Sequence, residues 1–144
     1  MRHVQLGEAD LVADLGLDPQ PDGDQLLFAR SLVVTASAAA GIAPPLAPVA
    51  TDFHDLAAFE RSTHRLRRMG FVGRACIHPR QVPVVTAVFT PDPAAVEAAR
   101  DVLEQLEAHG SGVAVDRHGR MIDEAVARQA RRVLACAHPG GTPS

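Results

Sequence analysis

MRHVQLGEADLVADLG, residues 1–16, decides how the rest of the chain is read. HVQLG, residues 3–7, reads as a short strand remnant, and the residues from Asp10 to Gly16 as a helical turn with Asp10 placed to cap it. An acid just past a strand end has a second reading, because ligands of α/β folds bind in the crevice outside the carboxyl ends of the strands. Asp10 is therefore either a cap or a ligand-binding carboxylate. Asp14 lies one turn further on the same helical face, so the pair either shares a metal or simply faces solvent. Glu8 is the other acid close by.

Working outward, Leu26, Ala29, Val33, Ala36 and Ala40 recur at helical spacing between Asp24 and Ala40, and Gly41 supplies the stop. LAPVATD, residues 46–52, reads as a buried strand. Leu56, Phe59, Thr63 and Leu66 then share one face of a helix capped by Asp55 and ended by Gly70. FVGRACIHP, residues 71–79, reads as a third strand closed by Pro79. Strand, helix, strand, helix, strand predicts an α/β fold with parallel pairing. Three parallel strands leave an open edge at the first of them, so further strands are expected upstream of residue 1.

Beyond Pro79 the character changes. Thr90 as cap, Pro91 at the first helical position and Gly110 at the end bracket a helix striped by Val96, Ala99, Leu103 and Leu106. Residues 112–121 read as a hairpin turning at Arg117 to Gly119, and residues 122–137 as a last helix. The expected division is a barrel-like α/β part over 1–82, a helical extension over 83–137 and a disordered tail over 138–144.

Composition narrows the chemistry. The 144 residues are 47% hydrophobic and 22% charged with a net charge of −3, which suits one globular domain. No basic block accompanies that charge, which sets nucleic acid aside as a partner. All 14 basic residues are Arg, so a lysine Schiff base is excluded within this chain. Cys76 and Cys136 stand 60 positions apart with no second Cys near either, which suits reduced thiols in a cytoplasm rather than a disulfide or zinc framework. The apolar runs are short and the N-terminus lacks the pattern of a signal peptide, so no membrane association is expected.

His78 in CIHP sits at the end of the third strand, where it either meets a ligand or is held by backbone hydrogen bonds. His3, His54, His64, His109, His118 and His138 form no i, i+4 metal pair and are read as surface. Asp123 opens the last helix, as a cap or as a reactive carboxylate. Arg117, Arg120, Arg128, Arg131 and Arg132 gather around it, either to hold an anion or as a solvated face.

GEADLVADLG, LLFARSLVVTASAAAGI, TDFHDL, GFVGRACIHPRQV and DRHGRMIDEAVARQARRVL, in that order, resemble the C-terminal half of citrate lyase beta-subunit-like CoA-ester lyases of the HpcH/HpaI aldolase superfamily. The resemblance runs from about residue 4 to 136. It implies the last three strands of a (β/α)8 TIM barrel followed by a helical extension. It places one Mg²⁺ ligand on Asp10, with the partner Glu and the substrate-gripping Arg on strands upstream. It makes Asp123 a catalytic acid/base delivered to a neighbouring subunit, and it has Ile77, His78 and Pro79 line the way in for the pantetheine arm of CoA. Arg74 stands where the family commonly has Lys, and Pro48 where many members have Asp.

The implied chemistry is Mg²⁺-assisted cleavage or formation of a carbon-carbon bond between acetyl-CoA and a small 2-oxo acid, with a CoA thioester of the citryl or malyl type as substrate. The implied partners are further copies of the chain, as a trimer, or a complementing N-terminal half. The alternatives are an inactive remnant that binds CoA, an oligomerisation module, or one half of a split barrel.

Overall fold

Pro44, Pro45 and Pro48 leave Leu46 and Ala47 as the amide donors of residues 44–48. Those two donors go to opposite sides. Leu46 N–H donates to the Val4 carbonyl at 3.0 Å and Ala47 N–H to the Gly73 carbonyl at 2.8 Å. Each side makes a single parallel pairing, Gln5 with Leu46 and Ala47 with Arg74. The three segments thus lie side by side in chain order, all running the same way, as consecutive strands of a singly wound β/α series do.

The computed structural model describes residues 3–20, 23–109, 114–115, 119 and 121–137. Within them the three strands expected at 3–7, 46–52 and 71–79 shrink to these two single pairings. The physical reason is the proline content of the middle segment, which cannot donate a continuous ladder. The described strands proper are β1 (Ala114–Val115) and β2 (Met121–Ile122), which pair antiparallel. The result is a helix-rich α/β chain in two compact units, Met1–Phe89 and Thr90–Ser144.

In the first unit the helices are α1 (Glu8–Leu15), α2 (Leu27–Ala39, entered through a 3-10 turn at Asp24–Leu26), α3 (Leu56–Arg68) and α4 (Gln81–Phe89). α3 follows its sequence pattern closely: Asp55 caps it by accepting from Ala58 N–H at 2.8 Å, and Phe59, Thr63 and Leu66 are buried. α2 follows its pattern at Leu26, buried, and Val33, packed on the core, and departs from it further on. Its buried residue is Ser37, whose hydroxyl donates back to the Val33 carbonyl at 2.8 Å, while Ala36 and Ala40 are exposed. Ala47, Leu66 and Phe71 form the core, with Val33, Val34 and Met69 packed on it. Gly70 between α3 and the third segment has φ +104°, and a Cβ there would meet Val34 Cγ1 at 2.9 Å, so the approach to α2 requires glycine.

α4 has no counterpart in the sequence reading. Its run of β-branched residues and its internal Pro83 argue against a helix, yet Pro83 falls in the first turn, where an N–H has no intrahelical partner to lose. Packing then decides: α4 lies on α3, Val88 is buried, and Arg67 Nη1 donates to the Val88 carbonyl at 2.5 Å.

In the second unit α5 (Pro93–Ala108) packs on α6 (Glu124–Ala137), with Ala99, Ile122, Ala127 and Ala130 buried. The cap of α5 is Asp92, which accepts from Ala95 N–H at 2.7 Å, and its leading proline is Pro93; the expected Thr90 and Pro91 each lie two residues before these. The expected hairpin is seen as the β1–β2 pairing, while Arg117 and His118 of its turn, and the tail at 138–144, lie outside the described residues.

The caps lead to a direct expectation. Asp92→Ala costs α5 about 1 kcal/mol in urea denaturation, as Asp55→Ala does for α3, whereas Thr90→Ala stays within about 0.5 kcal/mol of the parent.

Candidate active site

Three loops leave the parallel segments on the side where their chains run out, and parallel direction brings those exits to one end. The first carries Asp10. Gly7, not Asp10, is the N-cap of α1, so Asp10 is the third helical residue and the capping reading is corrected. Its exposed carboxylate folds back over the glycine: a Cβ on Gly7 would meet Asp10 Oδ2 at 3.1 Å. Glu8 is committed elsewhere. Arg30 holds it in a two-pronged ion pair, Nε to Oε1 at 2.6 Å and Nη2 to Oε2 at 2.7 Å, and donates also to the Gly23 carbonyl at 3.3 Å.

Asp14 is exposed one turn along. Among the described residues no three His, Cys, Asp or Glu side chains converge as a metal site. Asp10 is thus a single exposed carboxylate, a donor of the kind Mg²⁺ takes when substrate oxygens, waters or a second carboxylate complete its shell.

The third loop carries Ile77, His78 and Pro79, and the second brings Phe53 to meet it. The His78 ring stacks on Phe53 with centroids 5.0 Å apart and planes 4° apart, and Phe53 also touches the His54 ring at 4.4 Å. Arg80 N–H donates to His78 Nδ1 at 3.2 Å, which makes Nδ1 an acceptor and puts the proton of the neutral ring on Nε2. Beneath the loop lies Gln81, fully buried, whose amide bonds to Ile77, His78 and Ala50. Neither Phe53 nor Gln81 stands out in the sequence; the signal for Gln81 is its place two residues after Pro79.

Asp123 is the cap of α6. Its Oδ1 accepts from Ala125 N–H at 2.9 Å and Val126 N–H at 3.0 Å. Asp123 belongs to the second unit, while Asp10 and the 77–79 loop belong to the first. Arg131 pairs with Glu124 at 2.6 Å, and Arg128 and Arg132 are exposed, whereas Arg117 and Arg120 lie outside the described residues. Of the remaining histidines, His3 bonds to the Pro44 carbonyl at 2.7 Å, and His118 and His138 lie outside the described residues. Cys76 and Cys136 are both free thiols, and burial pushes the Cys76 thiol up against the opposing pull of Arg74. No helix among the described residues is long and apolar enough to cross a membrane.

The family model for HpcH/HpaI aldolase/citrate lyase matches residues 1–79. The chain belongs to that family. Over 138 residues it is 34% identical to a citrate lyase subunit beta of Leuconostoc mesenteroides subsp. cremoris, covering 94% of this chain and 45% of the relative. It is 32% identical over 154 residues to an L-malyl-CoA/beta-methylmalyl-CoA lyase of Rhodobacter capsulatus, covering 93% of this chain and 48% of the other. Among solved structures it is similar to the CitE protein of Mycobacterium tuberculosis in complex with magnesium, acetoacetate and coenzyme A. There the TM-score is 0.71 at 30% identity, over 92% of this chain and 51% of that one. The chain spans about half the length of the relatives it matches.

Arg74 and Pro48, the two positions singled out by the resemblance, touch one another. Arg74 Nε donates to the Pro48 carbonyl at 3.0 Å, so a backbone oxygen receives the cation. Nη1 continues into α3, to Ser62 Oγ at 2.8 Å, Thr63 Oγ1 at 2.7 Å and the Phe59 carbonyl at 3.3 Å, and the guanidinium lies 4.4 Å above the Phe59 ring. Burial lowers the Arg74 guanidinium to about 10, opposed by the nearby Glu8 carboxylate, which leaves it charged at neutral pH.

Arg74→Met is expected to destabilise the first unit by about 2 kcal/mol in urea denaturation, and Arg74→Lys to recover only part of that, because an ammonium lacks the planar fork. Asp123→Ala should cost α6 about 1 kcal/mol, while Asp123→Asn, which keeps the cap oxygen, should stay within a few tenths of the parent on the same measurement.

Proposed function

We propose that this chain carries one half of the active site of a Mg²⁺-dependent CoA-ester lyase, which joins or splits acetyl-CoA and a small 2-oxo acid. The observation that carries the reading is the set of three parallel segments in chain order, with Asp10 on the first exit loop and Ile77, His78 and Pro79 on the third. We read them as the last strands of a (β/α)8 barrel, and the second unit as the helical extension. The similarity to a structure holding magnesium, acetoacetate and coenzyme A supports the choice of ligands.

Asp10 is the metal-facing carboxylate of this half. Bound there, Mg²⁺ supplies polarisation of the oxo-acid carbonyl. Ile77, His78 and Pro79 receive the pantetheine arm. Asp123 moves the proton at the acetyl methyl, in the site of a neighbouring copy. Both cap bonds of Asp123 fall on Oδ1, so the other oxygen can take the proton without unseating the helix. The location proposed for this chemistry is the cytoplasm, where both thiols stay reduced.

A complementing half, or further copies of the chain, complete the site. Phe28 and Leu32, one turn apart on α2, are 78% and 54% exposed, an apolar face that favours coverage by further barrel elements.

The purified 144-residue chain is expected to bind Mg²⁺ weakly and to cleave neither malyl-CoA nor citryl-CoA measurably when alone. Cleavage by the chain alone, lost in Asp10→Ala, would overturn the half-site reading. CoA affinity insensitive both to Asp10→Asn and to added Mg²⁺ would favour a binding remnant instead. Co-purification with a second protein of similar size supports the split barrel.

A further inference from the structure

Gln81 begins α4 and is 0% exposed, yet its side chain bonds wholly outside its own helix. Its Oε1 accepts from Ile77 N–H at 2.9 Å and from His78 N–H at 3.2 Å. Its Nε2 donates to the Ala50 carbonyl at 3.3 Å. One carboxamide therefore ties the loop leaving the third parallel segment to the chain leaving the second. A carboxamide is suited to this because it offers an acceptor and a donor on one planar group, and Asn would fall a methylene short of the same three partners.

The remaining freedom of His78 is removed from two other directions. Arg80 N–H takes Nδ1, and Phe53 fixes the plane of the ring. With the backbone held by Gln81, the ring presents Nε2–H in one tautomer and one orientation. Ile77 beside it is 53% exposed, an apolar surface next to a fixed donor.

We propose that Gln81 is the positioning residue of the candidate site: it holds the backbone of Ile77 and His78 against Ala50, so that the loop meets an acyl-CoA arm already ordered. Amide carbonyls and methylenes along such an arm match a hydrogen-bond donor beside an apolar side chain. The identity of the ligand rests on the reading under Proposed function, whereas the hold on the loop stands independently of it. Pre-ordering the loop spares the binding step the entropy of fixing it, so losing the tie weakens affinity without touching a contact atom.

Two variants of the full chain test this. Gln81→Met keeps length and volume but removes donor and acceptor; Gln81→Glu keeps the acceptor for both loop amides and removes the donor to Ala50. The readouts are amide hydrogen exchange at Ile77 and His78 by NMR, helix content by circular dichroism, and CoA binding by calorimetry. Gln81→Met is expected to exchange both amides about 10-fold faster with helix content retained, and to bind CoA about 10-fold more weakly, the size expected when one hydrogen-bonded anchor is lost. Gln81→Glu is expected to keep both amides protected.

Unchanged exchange in Gln81→Met overturns the proposal, and so does faster exchange with unchanged CoA affinity. Should Gln81→Met fail to fold, Gln81→Glu decides: loss of protection at Ile77 and His78 overturns the hold. If the parent chain binds no CoA, the ligand reading falls, and the exchange data still decide whether Gln81 holds the loop.

Discussion

Two amide donors set the architecture of the first unit. Between Pro45 and Pro48 the middle segment has Leu46 and Ala47 to offer, and each is spent on a different neighbour. Proline removes donors but leaves carbonyls: those of Pro45 and Ala47 accept from Val72 and Ala75 N–H, and side chains supply further donors along the segment. His3 reaches Pro44, Gln5 reaches Ala47, Arg74 reaches Pro48 and Gln81 reaches Ala50. Four side-chain ties thus make up for the amide donors that the prolines remove. The register so fixed puts Ala47, fully buried, against Leu66 and Phe71.

That substitution explains what the sequence could and could not tell. Periodicity reports how a helix buries its face, and for α3 it found Phe59, Thr63 and Leu66 together with their cap. It is blind to a residue such as Ser37, whose polarity is cancelled by its own helix, so the stripe through Leu26 and Val33 holds while Ser37, not Ala36 or Ala40, is the buried residue beyond them. α4 was invisible for a related reason. Its β-branched residues and proline oppose a helix locally, and the terms that favour one, the packing on α3 and the bond from Arg67 to the Val88 carbonyl, come from residues distant in sequence. The cap of α5 was legible as a residue type but not as a position, since Asp92 and Thr90 are both good caps and backbone geometry chose between them.

The acidic residues of the first loop show how geometry assigns roles that spacing leaves open. Glu8 and Asp10 are two residues apart and alike in chemistry. Arg30 takes both oxygens of Glu8 and leaves Asp10 as the exposed carboxylate at the start of α1. The ion pair fastens α1 to α2, which holds Asp10 in place by way of the helix it sits on. A residue two positions from the candidate ligand thus serves the site through structure rather than contact.

Asp123 carries the same lesson in the opposite sense, because there one residue can hold both roles. Capping and proton transfer are competing readings only if they need the same atom. Two backbone N–H groups on Oδ1 fix the carboxylate plane at the start of α6, and a fixed plane aims the second oxygen. An acid held by its helix keeps its direction without a further partner. Of the groups given roles in the proposed chemistry, it is also the one in the second unit. The cap that looked like the plain alternative to a catalytic aspartate is the device that would orient one.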